Sequence, residues 1–156
     1  MKNESDFKKV FCDSAHKHGG YTFKIAASIM NGLPDLYCAI PGYIPVLLEL
    51  KWMKIPPGAF SKKIPYRPMQ QEILSSCNRV YKKGNCGPVA FGLIGLSMED
   101  GNFCMLIDPK FPSISSKDTD NKLTFIENNN HISIQNLFSG VVPFVYKLYR
   151  TLSEQK

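Results

Sequence analysis

One tryptophan, five cysteines and no long apolar run are what this 156-residue chain has least of. The cysteines (Cys12, Cys38, Cys77, Cys86 and Cys104) are odd in number and form no Cys-x-x-Cys pair. That argues against a disulfide framework and against a zinc ribbon. Free thiols in a reducing cytosol are the simplest reading. The longest apolar run, Pro88 to Leu96, is far too short to span a bilayer. Met1 to Lys9 is polar and mixed in charge, so no signal peptide is expected there. Acidic side chains are outnumbered, 13 Asp and Glu against 19 Lys and Arg, for a formal charge of +6. That surplus suits a polyanionic partner, and it equally suits solubility alone. The expectation is an intracellular, cytoplasmic protein with neither a membrane nor a small-molecule cofactor among its partners.

What is present is an ordinary globular balance, 44% hydrophobic and 21% charged, at a length that suits one domain with its own core. No internal repeat is visible. A single domain is expected over 1–156, with a core at about 4–109 and a C-terminal extension over 110–156 that ends in a helix.

Ser5 to His18 has helical spacing, with Phe7, Val10, Phe11, Ser14 and Ala15 on one face, Ser5 as N-cap and Gly19-Gly20 as the stop. Tyr21 to Ala26, Leu33 to Ile40 and Ile44 to Met53 have strand patterns, the last two joined by a turn at Pro41-Gly42. Lys54 to Arg67 reads as a proline-rich, cationic loop. A helix follows from Pro68, its apolar face made by Met69, Ile73, Leu74, Cys77, Val80 and Tyr81 and its end marked by Gly84. Pro88 to Leu96 and Phe103 to Ile107 complete the strands. Lys110 to Asn130 reads as polar loop. Helix is expected from Ile134, broken near Gly140 and Pro143 and closing with Phe144 to Leu152. The order predicts an α/β architecture, one mixed sheet flanked by helices.

The chemistry is concentrated in Asp35, Glu49 and Lys51. Side chains alternate along a strand, so Glu49 and Lys51 share one face while Leu48, Leu50 and Trp52 take the other. Charges inside so apolar a strand are costly unless paired or metal-bound. If the hairpin turn is centred on Gly42, Asp35 falls directly across from Glu49. Facing residues of an antiparallel pair have Cβ atoms about 5 Å apart, and two carboxylates that close repel unless a cation lies between them. A hard divalent ion such as Mg²⁺ fits, with the Leu50 carbonyl as a candidate third protein ligand. It would activate a water and neutralise charge on a phosphate, while Lys51 supplies a point charge beside it.

Gly32-Leu33-Pro34-Asp35-Leu36, then Leu48-Glu49-Leu50-Lys51, then Pro68-Met69-Gln70 opening a helix, resembles the PD-(D/E)XK nuclease superfamily. The likeness is greatest to its VRR-NUC branch and to archaeal and phage Holliday-junction resolvases, and it covers roughly 4–95. It implies a restriction-endonuclease-like fold and Mg²⁺-dependent hydrolysis of DNA, with Mn²⁺ able to substitute. Branched DNA, such as a four-way junction, would be the substrate and a homodimer the working form. Asp35 and Glu49 match the metal-binding acids, Lys51 the catalytic lysine and Gln70 the helix glutamine, with Gln71 filling that place if the alignment slips by one. The first-helix acid of the family is matched by Glu4 or Asp6, and Lys24 matches a basic residue on the first strand. The segment from Trp52 to Arg67 is longer and richer in proline than small members imply, and the tail beyond Pro109 has no counterpart. Small size with high Lys and Asn content fits a phage or an AT-rich genome.

Each feature also has a plainer reading. Asp35, Glu49 and Lys51 could be a surface hairpin with a salt bridge worth little. Lys54, Lys62, Lys63 and Arg67, interleaved with Phe60 and Tyr66, suit either a DNA-tracking, base-stacking surface or an ordinary solvated loop. His16 and His18, two apart on a helix, do not face each other. Asp108 follows a buried-looking strand and is either a further acid or, before Pro109, a turn residue. Two other functions stay open: a flap, single-strand or nicking DNA nuclease, and a nucleic-acid-binding module without chemistry.

Overall fold

A short polar lead-in makes the first helix. Asn3, not Ser5, is its N-cap: the Asn3 side chain accepts the Asp6 N–H at 2.9 Å, satisfying one of the donors that a helix start leaves unpaired. The computed structural model describes residues 1–25, 32–84, 87–122, 124–127, 131–141 and 144. α1 (Glu4–Lys17) buries Phe7, Phe11, Ser14 and Ala15, the stripe its spacing predicts.

The strands are β1 (Tyr21–Lys24), β2 (Leu36–Ala39), β3 (Val46–Lys54), β5 (Val89–Met98), β6 (Gly101–Ile107), β8 (Thr124–Glu127) and β9 (His131–Ile132). They form one seven-stranded sheet in the order β1-β2-β3-β5-β6-β8-β9. Only β3 and β5 run parallel; the other neighbours are antiparallel. A parallel pair needs a crossover, and α2 (Gln70–Gly84) supplies it. The result is the expected mixed sheet flanked by helices.

The central strands β3 and β5 are buried on both faces. On one face Val46, Leu48, Leu50, Phe91 and Leu93 pack with Phe7 and Phe11 of α1 and with Leu137 and Phe138 of α4 (Ile134–Phe138). Trp52 joins them, its ring 5.4 Å from that of Phe7. On the other face Met53, Ile94, Leu96, Met105 and Ile107 form a second core with Ile55, Ile64 and Ile114.

The second core corrects the loop reading of residues 54–67. Ser61–Lys63 is a strand, β4, paired antiparallel with β7 (Ser113–Ser115) in a separate two-stranded ribbon. Ile64 and Ile114, at 1% exposure each, anchor the ribbon onto the sheet. Phe60 and Tyr66 pack against this core instead of facing solvent. The stretch from Lys110, read as polar loop, likewise carries β7, α3 (Ser116–Lys122) and β8, so the sheet continues past Pro109. The helix expected over Phe144 to Leu152 lies, apart from Phe144, outside the described residues, as do Ala26 and Cys86.

α2 departs from the apolar face drawn for it. Its buried residues are Gln70, Leu74, Asn78 and Tyr81, whereas Met69 and Val80 are exposed. Asn78 explains the rotation. Its amide donates to the Ala90 carbonyl at 2.9 Å and accepts the Ala90 N–H at 2.7 Å. Two backbone groups of β5 are thereby paired by one side chain, which a purely apolar stripe could not do.

Candidate active site

The hairpin register is the one the turn position predicts. Leu36 pairs with Leu48 and Cys38 with Val46, so the next step places Asp35 opposite Glu49. The ladder ends there: the Asp35 carbonyl accepts the Ile25 N–H on the β1 side at 3.0 Å, and its side chain turns to β3. Asp35 Oδ2 accepts the Leu50 N–H at 2.9 Å. In an antiparallel pair one residue turns its N–H and C=O toward the same neighbour. The Leu50 carbonyl therefore faces the Asp35 edge of β3.

Glu49 and Lys51 lie on the sheet face opposite Leu48 and Leu50, as alternation requires. Glu49 is 1% exposed and Lys51 7%. The Lys51 ammonium is 3.1 Å from Glu49 Oε1. Gln70, in the first turn of α2, donates its amide to the same oxygen at 2.8 Å. The other end of that amide is fixed too, since Gln70 Oε1 accepts the Arg67 N–H at 2.8 Å. Gly32 lets α2 come this close. Its φ of +92° suits glycine, and a Cβ there would lie 2.7 Å from the Met69 Cβ.

Both local partners of Glu49 take Oε1. Oε2 is buried with no hydrogen-bond partner. Burial, then the nearby Asp35 charge, push the Glu49 carboxyl up to about 7, only partly offset by Lys51. A buried carboxylate with one bare oxygen, facing a second carboxylate and a backbone carbonyl, is a donor set for a hard divalent cation. Among the described residues no group of three or more His, Cys, Asp or Glu converges. A cation here would draw on two carboxylates, a carbonyl and water, which suits Mg²⁺ or Mn²⁺ and not the nitrogen and sulfur preference of zinc. The residues fit such an ion.

Asp35, Glu49, Lys51 and Gln70 are thus brought together. Gln71 points elsewhere, donating to the Lys110 carbonyl at 3.3 Å, so Gln70 is the glutamine at the site. Glu4 and Asp6 are exposed in the first turn of α1, where Asp6 accepts the Lys2 N–H at 3.0 Å. The α1 residue that reaches the acids is Lys8, whose ammonium is 3.8 Å from Asp35 Oδ1. The sequence did not single it out, although it lies one helical turn from Glu4 and on the same face. Lys24, Lys54, Lys62, Lys63 and Arg67 are all exposed, and Lys62 Nζ donates to the Lys54 carbonyl at 2.6 Å.

Several bland readings hold. Asp108 Oδ1 accepts the Lys110 N–H at 3.0 Å, a turn bond. His16 bonds Thr22 at 3.1 Å. Cys12, Cys38, Cys77 and Cys104 are free, and burial holds the Cys38 and Cys104 thiols at about 12, neutral and unreactive. Among the described residues no helix is long and apolar enough to cross a membrane.

No protein-family model matches the chain, and no curated protein does. Among solved structures the chain is similar to that of Hjc, a Holliday-junction resolvase from the archaeal hyperthermophile Archaeoglobus fulgidus. The identity is 15%, over 74% of this chain and 89% of that one, with a TM-score of 0.45. The functional argument is carried by the side chains around Glu49.

Proposed function

We propose that this protein is a metal-dependent nuclease of the PD-(D/E)XK, restriction-endonuclease-like class that hydrolyses phosphodiester bonds in DNA. Branched DNA, a four-way junction above all, is the proposed substrate, and a homodimer the proposed working form. The single observation behind it is the bare, buried Glu49 Oε2 standing across from Asp35 and beside Lys51.

Asp35 and Glu49, with the Leu50 carbonyl, would hold Mg²⁺, or Mn²⁺ in its place. When bound, such an ion supplies Lewis acidity and lowers the pKa of water. The chain's own residues do the rest. Gln70 holds Glu49 Oε1, so the carboxylate cannot swing away. The Leu50 N–H holds Asp35 in the same manner. Lys51, on the Glu49 face, sets a fixed positive charge where negative charge gathers on the phosphate, in a site dry enough for that charge to count. Lys24, Lys54, Lys62, Lys63 and Arg67 offer exposed cations for the phosphate backbone.

Cleavage of a synthetic four-way junction, a flap and a plain duplex in Mg²⁺ tests this. The four-way junction should be cut fastest, and Lys51→Ala should lower the rate by at least about a hundredfold. Preference for the flap would move the assignment to a flap or nicking nuclease. Binding without cleavage in either Mg²⁺ or Mn²⁺ would leave a DNA-binding module.

A further inference from the structure

Two buried side-chain atoms of the described structure have no hydrogen-bond partner, Glu49 Oε2 and the Tyr66 hydroxyl. Both lie on the same face of the sheet. Gly92 is the register partner of Glu49 across the parallel β3–β5 pair. A Cβ added at Gly92 would collide with the Tyr66 hydroxyl oxygen. The hydroxyl therefore sits where the Gly92 side chain would begin, on the Glu49 face. Adjacent strands are about 4.8 Å apart, so it stands about one strand spacing from the Glu49 Cβ.

Glycine inside a buried strand gives up packing and marks a close approach by another group. Here the approaching group is that hydroxyl. Tyr66 is also held firmly: its N–H donates to the Ile64 carbonyl at 2.8 Å, and its ring packs against the second core. Burial, with the charges of Glu49 and Asp108 nearby, pushes the phenol above its ordinary range. It stays protonated and remains a donor. Buried polar groups left unpaired by protein commonly share an ordered water.

We propose that Tyr66 is a positioning residue of this site: its hydroxyl donates to one buried water, which donates in turn to Glu49 Oε2 and fixes the carboxylate for cation binding. This rests on the metal-site reading above. Gln70 and Lys51 constrain only Oε1, and the water bridge constrains the other oxygen.

Tyr66→Phe removes one oxygen and keeps the ring. Calorimetric titration with Mn²⁺, beside steady-state cleavage of the preferred DNA, reads its role. The variant should lose on the order of tenfold in Mn²⁺ affinity and in kcat, with KM for DNA unchanged. In a Glu49→Gln background, adding Tyr66→Phe should change residual Mn²⁺ binding no further. A variant that titrates and cuts like wild type, or one altered in KM alone, overturns the role of Tyr66 and leaves the nuclease reading intact. Wild-type protein that neither binds Mn²⁺ nor cuts DNA overturns both.

Discussion

Gln70 and Glu49, 21 residues apart in the chain, are joined by a buried 2.8 Å hydrogen bond that ties the first turn of α2 to the centre of β3. The bond leaves Glu49 with one engaged oxygen and one bare one. Gln70→Ala would free the carboxylate to turn toward Lys51. We expect Mn²⁺ affinity, measured by calorimetry, to fall on the order of tenfold or more, as for other residues that orient a ligand. An unchanged affinity would mean that Gln70 serves packing alone.

The metal-free protein should lose stability as pH rises through a defined window. Glu49 titrates near 4.5 when unfolded and at about 7 in the folded chain. Between those values the native state holds a proton that the unfolded state has released. Stability therefore falls with rising pH across the window and levels off above it, where both states are ionised. Urea unfolding in EDTA from about pH 5 to about pH 8 reads the slope, and Glu49→Gln should lack it. Added Mn²⁺ should relieve the loss on the alkaline side.

Lys8 competes with any cation for Asp35, its ammonium 3.8 Å from Oδ1. Both side chains are partly exposed, so the pair is weak. Lys8→Ala should tighten Mn²⁺ binding by about two- to fivefold, the scale of such an ion pair. The gain should shrink in high salt. Weaker Mn²⁺ binding in this variant would mean that Lys8 supports the site.

Asn78 is the stability counterpart of the site residues. Asn78→Ala removes both bonds to the Ala90 backbone and leaves buried groups of β5 unpaired. We expect a loss of about 2–4 kcal/mol in urea unfolding. A loss well under that would mean that water replaces the amide without strain.

Much of the site was legible in the sequence because it follows from period and distance. Glu49 and Lys51 share a face by strand alternation, and Asp35 faces Glu49 because both are equally far from Gly42. Neither inference needs tertiary information. The β4–β7 ribbon was not legible, because three-residue strands carry no periodicity and their partners are far apart in the chain. Tyr66 was misjudged for the same reason: among exposed lysines its ring suggested a solvent surface. Gly92 inside an otherwise apolar strand was the available clue. On α2 the buried amides of Gln70 and Asn78 broke the apolar stripe, because hydrogen bonds to the sheet outweighed burial of Val80.

The ribbon that pairs Ser61 with Ser115 has a consequence for the order in which the molecule is finished. A chain is synthesised from its N-terminus and its parts fold as they emerge. Asp35, Glu49, Lys51 and Gln70 all leave the ribosome before Ser113–Ser115, the strand that pins the segment bearing Tyr66. The newborn protein carries its acids well before it carries the strand that anchors the Tyr66 segment.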